Sequence, residues 1–215
     1  FMGLKVWALW LVLAAFIAPE TLGSSPPQPL MAEDVVKQEK KRELRASEYI
    51  KGCLEAIEAS DTELQAWQYV DRDGAEAGAA RIDGIRRKWQ KGPLAGVAIG
   101  NKDIIDCANT PCCYGSELFA SRTPTEDAEL VQLLRESGAV ILGKTVTTEL
   151  AYLHPSRTRN PLNPKFSPGG SSCGSVAVAS GQVPLAIGIQ TGGSVILPAS
   201  YCGVYALSQI GEPSL

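Results

Sequence analysis

The sequence predicts an α/β fold, because short apolar runs bracketed by glycine or proline alternate along it with longer segments of helical character. Its 215 residues, 45% apolar and 20% charged, have the composition of a globular chain long enough to bury a core. There is no internal repeat.

The elements follow in order. Lys5 precedes an unbroken apolar run over residues 6–18, which Pro19 ends. That length suits the hydrophobic stretch of a secretory signal peptide and falls short of the roughly 20 residues that span a bilayer. Thr21-Leu22-Gly23 is a small-residue candidate for cleavage. A short membrane anchor is one alternative; a misassigned chain start, suggested by Phe1 ahead of Met2, is another. Residues 1–25 are therefore set apart from the fold, and the expected location is the secretory pathway, with membrane-anchored or cytoplasmic placement as alternatives. Any membrane contact is expected only through residues 6–18. Residues 26–43 form a Pro-Ser linker and the start of a charged helix, and the folded domain is expected over 44–215.

Within that domain Ser47 is expected to cap a helix carrying Tyr49, Ile50, Cys53, Leu54 and Ile57 on one face. Residues 65–70 alternate as a strand, and the Ala-rich stretch 73–90 suggests a long surface helix. Gly96-Val97-Ala98-Ile99-Gly100 is a buried strand ending at Lys102. Thr123-Pro124-Thr125-Glu126 has the form of a capping box opening a helix to Ser137, with a strand over 139–142 after it. A polar loop over 155–172 precedes a small-residue helix over 173–180. A strand over 184–189, a tight turn at Thr191-Gly192-Gly193-Ser194 and a helix opening near Pro198 complete the pattern.

Net charge of -3 and a pI near 5.3 give no footing for nucleic acid, which demands concentrated positive charge. The basic cluster over 37–45 is broken by Glu39 and Glu43, as on a solvated helix face. Six cysteines without a C-x-x-C pair, beside one histidine, are too few for a structural zinc site and too sparse for a disulfide framework. They are expected to be mostly small buried hydrophobes, with a redox role for adjacent Cys112 and Cys113 as the lesser reading.

Two short motifs match without physical support. Residues 138–145 fit the phosphate-loop pattern, yet the middle residues Ala139, Val140, Ile141 and Leu142 are themselves a strand. Residues 170–174 fit the nucleophile elbow G-x-S-x-G, but proline flanks them where a strand is needed, and His154 lies upstream rather than downstream. The surviving constellation is Gly169-Gly170-Ser171-Ser172, Gly192-Gly193-Ser194 and Lys102. A serine needs a base; where histidine is lacking, a lysine desolvated into its neutral form can serve. Successive glycines can aim several N–H groups at one developing oxyanion.

These segments resemble the amidase signature family. The resemblance rests on G-V-x-x-x-x-K-D at 96–103, G-G-S-S-x-G-S at 169–175 and Q-T-G-G-S-x-x-x-P-A at 190–199, followed by Tyr201-Cys202-Gly203-Val204. Stretches 139–148 and 160–164 are also similar, so most of 44–207 is covered. The resemblance implies a mixed central sheet flanked by helices, incomplete in this chain, and hydrolysis of carboxamide C–N bonds in a small-molecule substrate. It implies Ser194 as nucleophile, Ser171 after a cis peptide bond as proton bridge, and Lys102 as neutral base steadied by Ser172. Backbone N–H groups of Thr191, Gly192, Gly193 and Ser194 would form the oxyanion hole, and neither cofactor nor metal is implied. An alternative inside the family is the amide-handling component of a tRNA-dependent amidotransferase, against which the signal-like N-terminus argues. The chain departs at Leu197, where many members carry Arg, at Ile189, where Thr is common, and after Val204. The family domain is longer, so a fragment or truncated form is expected, either catalytically competent or an inert remnant.

Overall fold

The computed structural model describes residues 30–87 and 91–208. The signal-or-anchor segment expected over 1–25 lies outside the described residues. Four strands form one mixed sheet: β1 (Trp67–Val70), β2 (Ala98–Lys102), β3 (Val140–Thr145) and β4 (Leu185–Ile187), in the order β1-β3-β2-β4. β2 is parallel to both β3 and β4, and β1 runs antiparallel to β3 at one edge. The helices are α1 (Ala32–Lys41), α2 (Ala46–Leu64), α3 (Arg72–Gly84), α4 (Glu129–Glu136), α5 (Gly174–Ala179) and α6 (Ile196–Cys202).

Alternation along the strands divides the core in two, because successive side chains leave a strand on opposite faces. Ala98, Val140, Leu142 and Ala186 pack with Ile50, Leu54 and Ile57 of α2, Ala75, Ala79 and Ile82 of α3, and Val176 and Val178 of α5. Ile99, Ile141, Leu185 and Ile187 pack on the other face with Val35 of α1 and Leu130, Val131 and Leu134 of α4. Every residue of β2, β3 and β4 is buried, as expected of parallel strands covered on both sides. The α/β class and the mixed sheet flanked by helices thus match expectation.

Several local expectations are corrected. Arg45, not Ser47, occupies the N-cap of α2, and the cap is supplied from outside the helix. Asp83 of α3 accepts the Ala46 and Ser47 N–H groups at 2.8 and 3.2 Å and the Ser47 hydroxyl at 2.6 Å. No capping box forms at Thr123; α4 starts at Glu129, because 123–127 ties down the preceding loop instead. Asp127 accepts the Ala108 N–H at 2.7 Å, and the Pro124 carbonyl accepts that of Asn109 at 2.9 Å. α3 ends at Gly84, short of the helix expected to 90, and β3 runs on to Thr145. The rejection of the phosphate-loop match agrees with the structure, in which Lys144 is a strand residue with no exposure.

Gly143 carries the strain of the β1–β3 edge. Its φ is +149°, and a Cβ there would sit 2.2 Å from the Tyr69 carbonyl oxygen. Gly143→Ala is expected to cost at least about 2 kcal/mol, since both the backbone angle and the clash oppose it. The midpoint of urea unfolding measures this; an unchanged midpoint would show that the edge relaxes freely.

Candidate active site

β2 delivers Lys102 to the interior. The residue is fully buried, and Nζ lies 2.7 Å from Ser171 Oγ and 3.2 Å from the Ile189 carbonyl oxygen. Both partners are uncharged oxygens, so nothing replaces the hydration an ammonium loses. Burial accordingly lowers the amine from its ordinary 10.5 to about 8, with nearby Cys173 acting in the opposite direction. About a tenth of such an amine is neutral at pH 7, against well under a thousandth of an exposed lysine. In its neutral form Nζ can accept the proton of the Ser171 hydroxyl it otherwise donates to.

Ser171 ends the long polar loop, and glycine lets that loop pass close to α6. Gly169 has φ +85°, and a Cβ there would strike the Tyr201 ring at 2.3 Å. Beyond it the chain is pinned on two sides. Ser172 N–H donates to the Ser194 carbonyl at 3.1 Å, and Cys173 N–H donates to that of Val146 at 3.2 Å. The peptide bond before Ser171 is trans, since no described peptide bond is cis, which corrects the expected cis bond. Ser172 also departs from expectation. Its hydroxyl lies 3.5 Å from the Ile189 carbonyl, so it shares an acceptor with Lys102 rather than holding the amine directly.

The turn at 191–194 owes its shape to a residue whose role the sequence reading missed. Gln190 Oε1 accepts the N–H groups of Val195 and Ile196 at 3.0 and 2.9 Å, while its Nε2 donates to Ser208 at 3.1 Å. One side chain thereby folds the turn back and satisfies two N–H groups where α6 begins. A side-chain amide just ahead of the Thr-Gly-Gly-Ser turn and six residues ahead of a helix was the available signal. The N–H groups of Thr191, Gly192, Gly193 and Ser194 donate to no group among the described residues, and Thr191 and Gly192 are exposed. Unpaired donors on consecutive residues can receive an oxyanion.

Ser194 is half-buried, and its Oγ makes no hydrogen bond among the described residues. The structure thus joins Lys102 to Ser171 through side chains and brings Ser194 alongside through the backbone only. Leu197 lies over the turn, since a Cβ on Gly193 would meet Leu197 Cδ1 at 2.7 Å. His154 is exposed on the rim of a separate cleft of about 700 Å³ that none of the three residues lines. That cleft adjoins the site across the Thr147–Ser172 bridge.

The model of the amidase family matches residues 48–207. Among curated proteins, two relatives are the A-type component of glutamyl-tRNA(Gln) amidotransferase. The chain is 39% identical over 165 residues to that of Salinibacter ruber, covering 74% of this chain and 32% of that protein. It is 40% identical over 171 residues to that of Acidothermus cellulolyticus, covering 76% and 34%. Among solved structures it resembles the peptide amidase of Stenotrophomonas maltophilia, with TM-score 0.74, 34% identity and coverage of 79% and 38%. It also resembles a bacterial aryl acylamidase of the amidase signature family, with TM-score 0.72, 29% identity and coverage of 81% and 38%. The chain spans about a third of the length of these curated relatives. With that match over most of its length, and with the buried Lys102–Ser171 pair where the family segments meet, the chain belongs to the amidase family.

Proposed function

We propose that this chain carries the proton-transfer residues of an amide hydrolase acting on carboxamides through an acyl-enzyme on Ser194. The observation that supports it best is the buried 2.7 Å contact between an amine without an acidic partner and the Ser171 hydroxyl. In this scheme Ser194 Oγ attacks the carbonyl carbon. Its proton passes to Ser171 as Ser171 gives its own to neutral Lys102. The N–H groups of Thr191, Gly192, Gly193 and Ser194 receive the oxyanion, and Ser172 fixes the Ile189 carbonyl that orients the amine. Lys102 then returns the proton through Ser171 to the leaving nitrogen, and water releases the acyl group by the reverse relay. Ser194 Oγ must rotate to meet Ser171 for this relay to close.

A fluorophosphonate probe tests the nucleophile on the 215-residue chain. Covalent labelling that Ser194→Ala abolishes is expected; a folded chain that stays unlabelled would instead be the inert remnant. The sign of the pH dependence follows from the amine, whose neutral form is the active one. Labelling rate should therefore rise about tenfold per pH unit up to roughly 8 and level off above it. A rate that is flat from pH 6 to 9 would remove Lys102 from the mechanism.

Leu197, 48% exposed beside the oxyanion turn, presents a methyl surface where a cation would bind a carboxylate. An uncharged aliphatic amide should therefore surpass a malonamate-type half-amide in kcat/KM, and Leu197→Arg should narrow the gap. A wild-type preference for the half-amide would contradict this. A second reading is favoured by the curated relatives, which are components of amidotransferases. Amide cleavage that requires a tRNA-bound substrate would establish that reading over free amide hydrolysis.

A further inference from the structure

The sheet carries a second buried lysine, and two thiols flank the Lys–Asp pair to which it belongs. In the β2–β3 register Asn101 pairs with Lys144 and Lys102 with Thr145, so Lys144 leaves the sheet on the face opposite Lys102. Lys144 Nζ donates to the Ile105 carbonyl, lies 3.3 Å from Cys112 Sγ and is 3.8 Å from Asp103 Oδ1. The other oxygen of that carboxylate, Oδ2, accepts both the thiol of Cys113 at 2.9 Å and its backbone N–H at 3.2 Å. Two adjacent cysteines thus engage the two ends of one buried Lys–Asp pair. They differ in access. Cys112 has no exposure, whereas Cys113 is half-buried and lines the 700 Å³ cleft. All six cysteines are free thiols, and the other four are buried.

We propose that Cys112 and Cys113 form a peroxide-sensitive pair that closes reversibly into a vicinal disulfide, with Cys113 oxidised first and Cys112 resolving it. Hydrogen peroxide entering by the cleft meets Cys113. Its sulfur attacks one peroxide oxygen as the thiol proton passes to Asp103, the O–O bond breaks, and the departing hydroxide takes that proton to leave as water. Cys113 is now a sulfenic acid. The Cys112 sulfur attacks the Cys113 sulfur, a second water departs, and two thiols plus one peroxide have given one disulfide and two waters. Burial raises both thiols above their ordinary range, Cys112 to about 12, and Asp103 adds to the rise at Cys113. What permits the step is the 2.9 Å contact through which the Cys113 thiol can hand its proton to the Asp103 carboxylate. Adjacent Cα atoms lie about 3.8 Å apart, closer than disulfides favour, so the bond is strained and readily reduced. Closure withdraws Cys113 from Asp103 and Cys112 from Lys144, and so loosens the loop that forms one wall of the cleft. Nothing in this depends on the amide-hydrolase reading.

The test is graded peroxide treatment of the reduced, folded chain, followed by thiol alkylation and peptide mass spectrometry. The peptide bearing residues 112 and 113 should lose two hydrogens, resist alkylation and recover with dithiothreitol. It should do so at least about tenfold faster than any other cysteine is oxidised, because Cys113 is the one thiol of the six that is not fully buried. In Cys112→Ser the reaction should stop at a Cys113 sulfenic acid that dimedone traps, and Cys113→Ser should leave Cys112 reduced. The proposal is overturned if another cysteine oxidises as fast, if wild-type Cys113 proceeds to the sulfinic acid beside an unchanged Cys112, or if Cys112 becomes linked to Lys144 instead.

Discussion

When the chain folds, the Lys102 amine gives up its water shell and gains only a hydroxyl and a carbonyl oxygen in return. An exposed lysine holds its proton past pH 10, while this one releases it near 8 because no charge compensates the lost hydration. Lys144 offers the contrast. One register step away, on the other face of the same two strands, the second buried lysine has the Asp103 carboxylate within 3.8 Å. Two lysines at neighbouring positions of one sheet thus meet different surroundings, because the β2–β3 register slips by one residue before Gly143 and turns Lys144 to the face opposite Val140 and Leu142. One meets two uncharged oxygens and the other a carboxylate.

The two small-residue segments do their work through the same sheet. β2 and β4 are parallel neighbours, so their C-terminal ends bring Lys102 and the Ile189 carbonyl together. The 169–172 segment descends onto that edge because Gly169 can adopt a positive φ against the Tyr201 ring. The 190–194 turn closes over it because Gln190 ties down the N–H groups of Val195 and Ile196 at the start of α6. Polar groups at the strand ends, rather than any cavity, build the site. The large cleft lies beyond the Thr147–Ser172 bridge, on the side lined by Cys113, Glu149 and His154.

Legibility in the sequence followed how local the determining physics was. The buried strands were visible as apolar runs, and Lys102, Ser171 and Ser194 stood out through glycine-rich spacing and family resemblance. Interactions between distant residues were not visible: the Asp83 cap on α2, the sharing of Ile189 between Lys102 and Ser172, and the contacts of Cys112 with Lys144 and of Cys113 with Asp103. The Thr123 capping pattern failed for the same reason, as residues 123–127 pin the preceding loop instead, with the Pro124 carbonyl and the Asp127 carboxylate accepting the N–H groups of Asn109 and Ala108. Large apolar side chains such as Leu162, Phe166, Tyr201 and Tyr205 stand more than half exposed, in a chain whose match spans about a third of the length of its curated relatives.

A neutral base at Lys102 requires an amine that sheds its usual charge on folding. The folded-state value near 8 lies below the ordinary 10.5, so between those limits the unfolded chain binds more protons than the folded one. Stability should then increase with pH across that window and stay level on either side of it, as far as this group is concerned. The most direct measurement is the free energy of urea unfolding from pH 7 to 11, for the wild-type chain and for Lys102→Met. The wild type is expected to gain up to about 3 kcal/mol relative to the variant over that range. Two parallel curves would show that Lys102 keeps an ordinary affinity for its proton, and the neutral-base account would not stand.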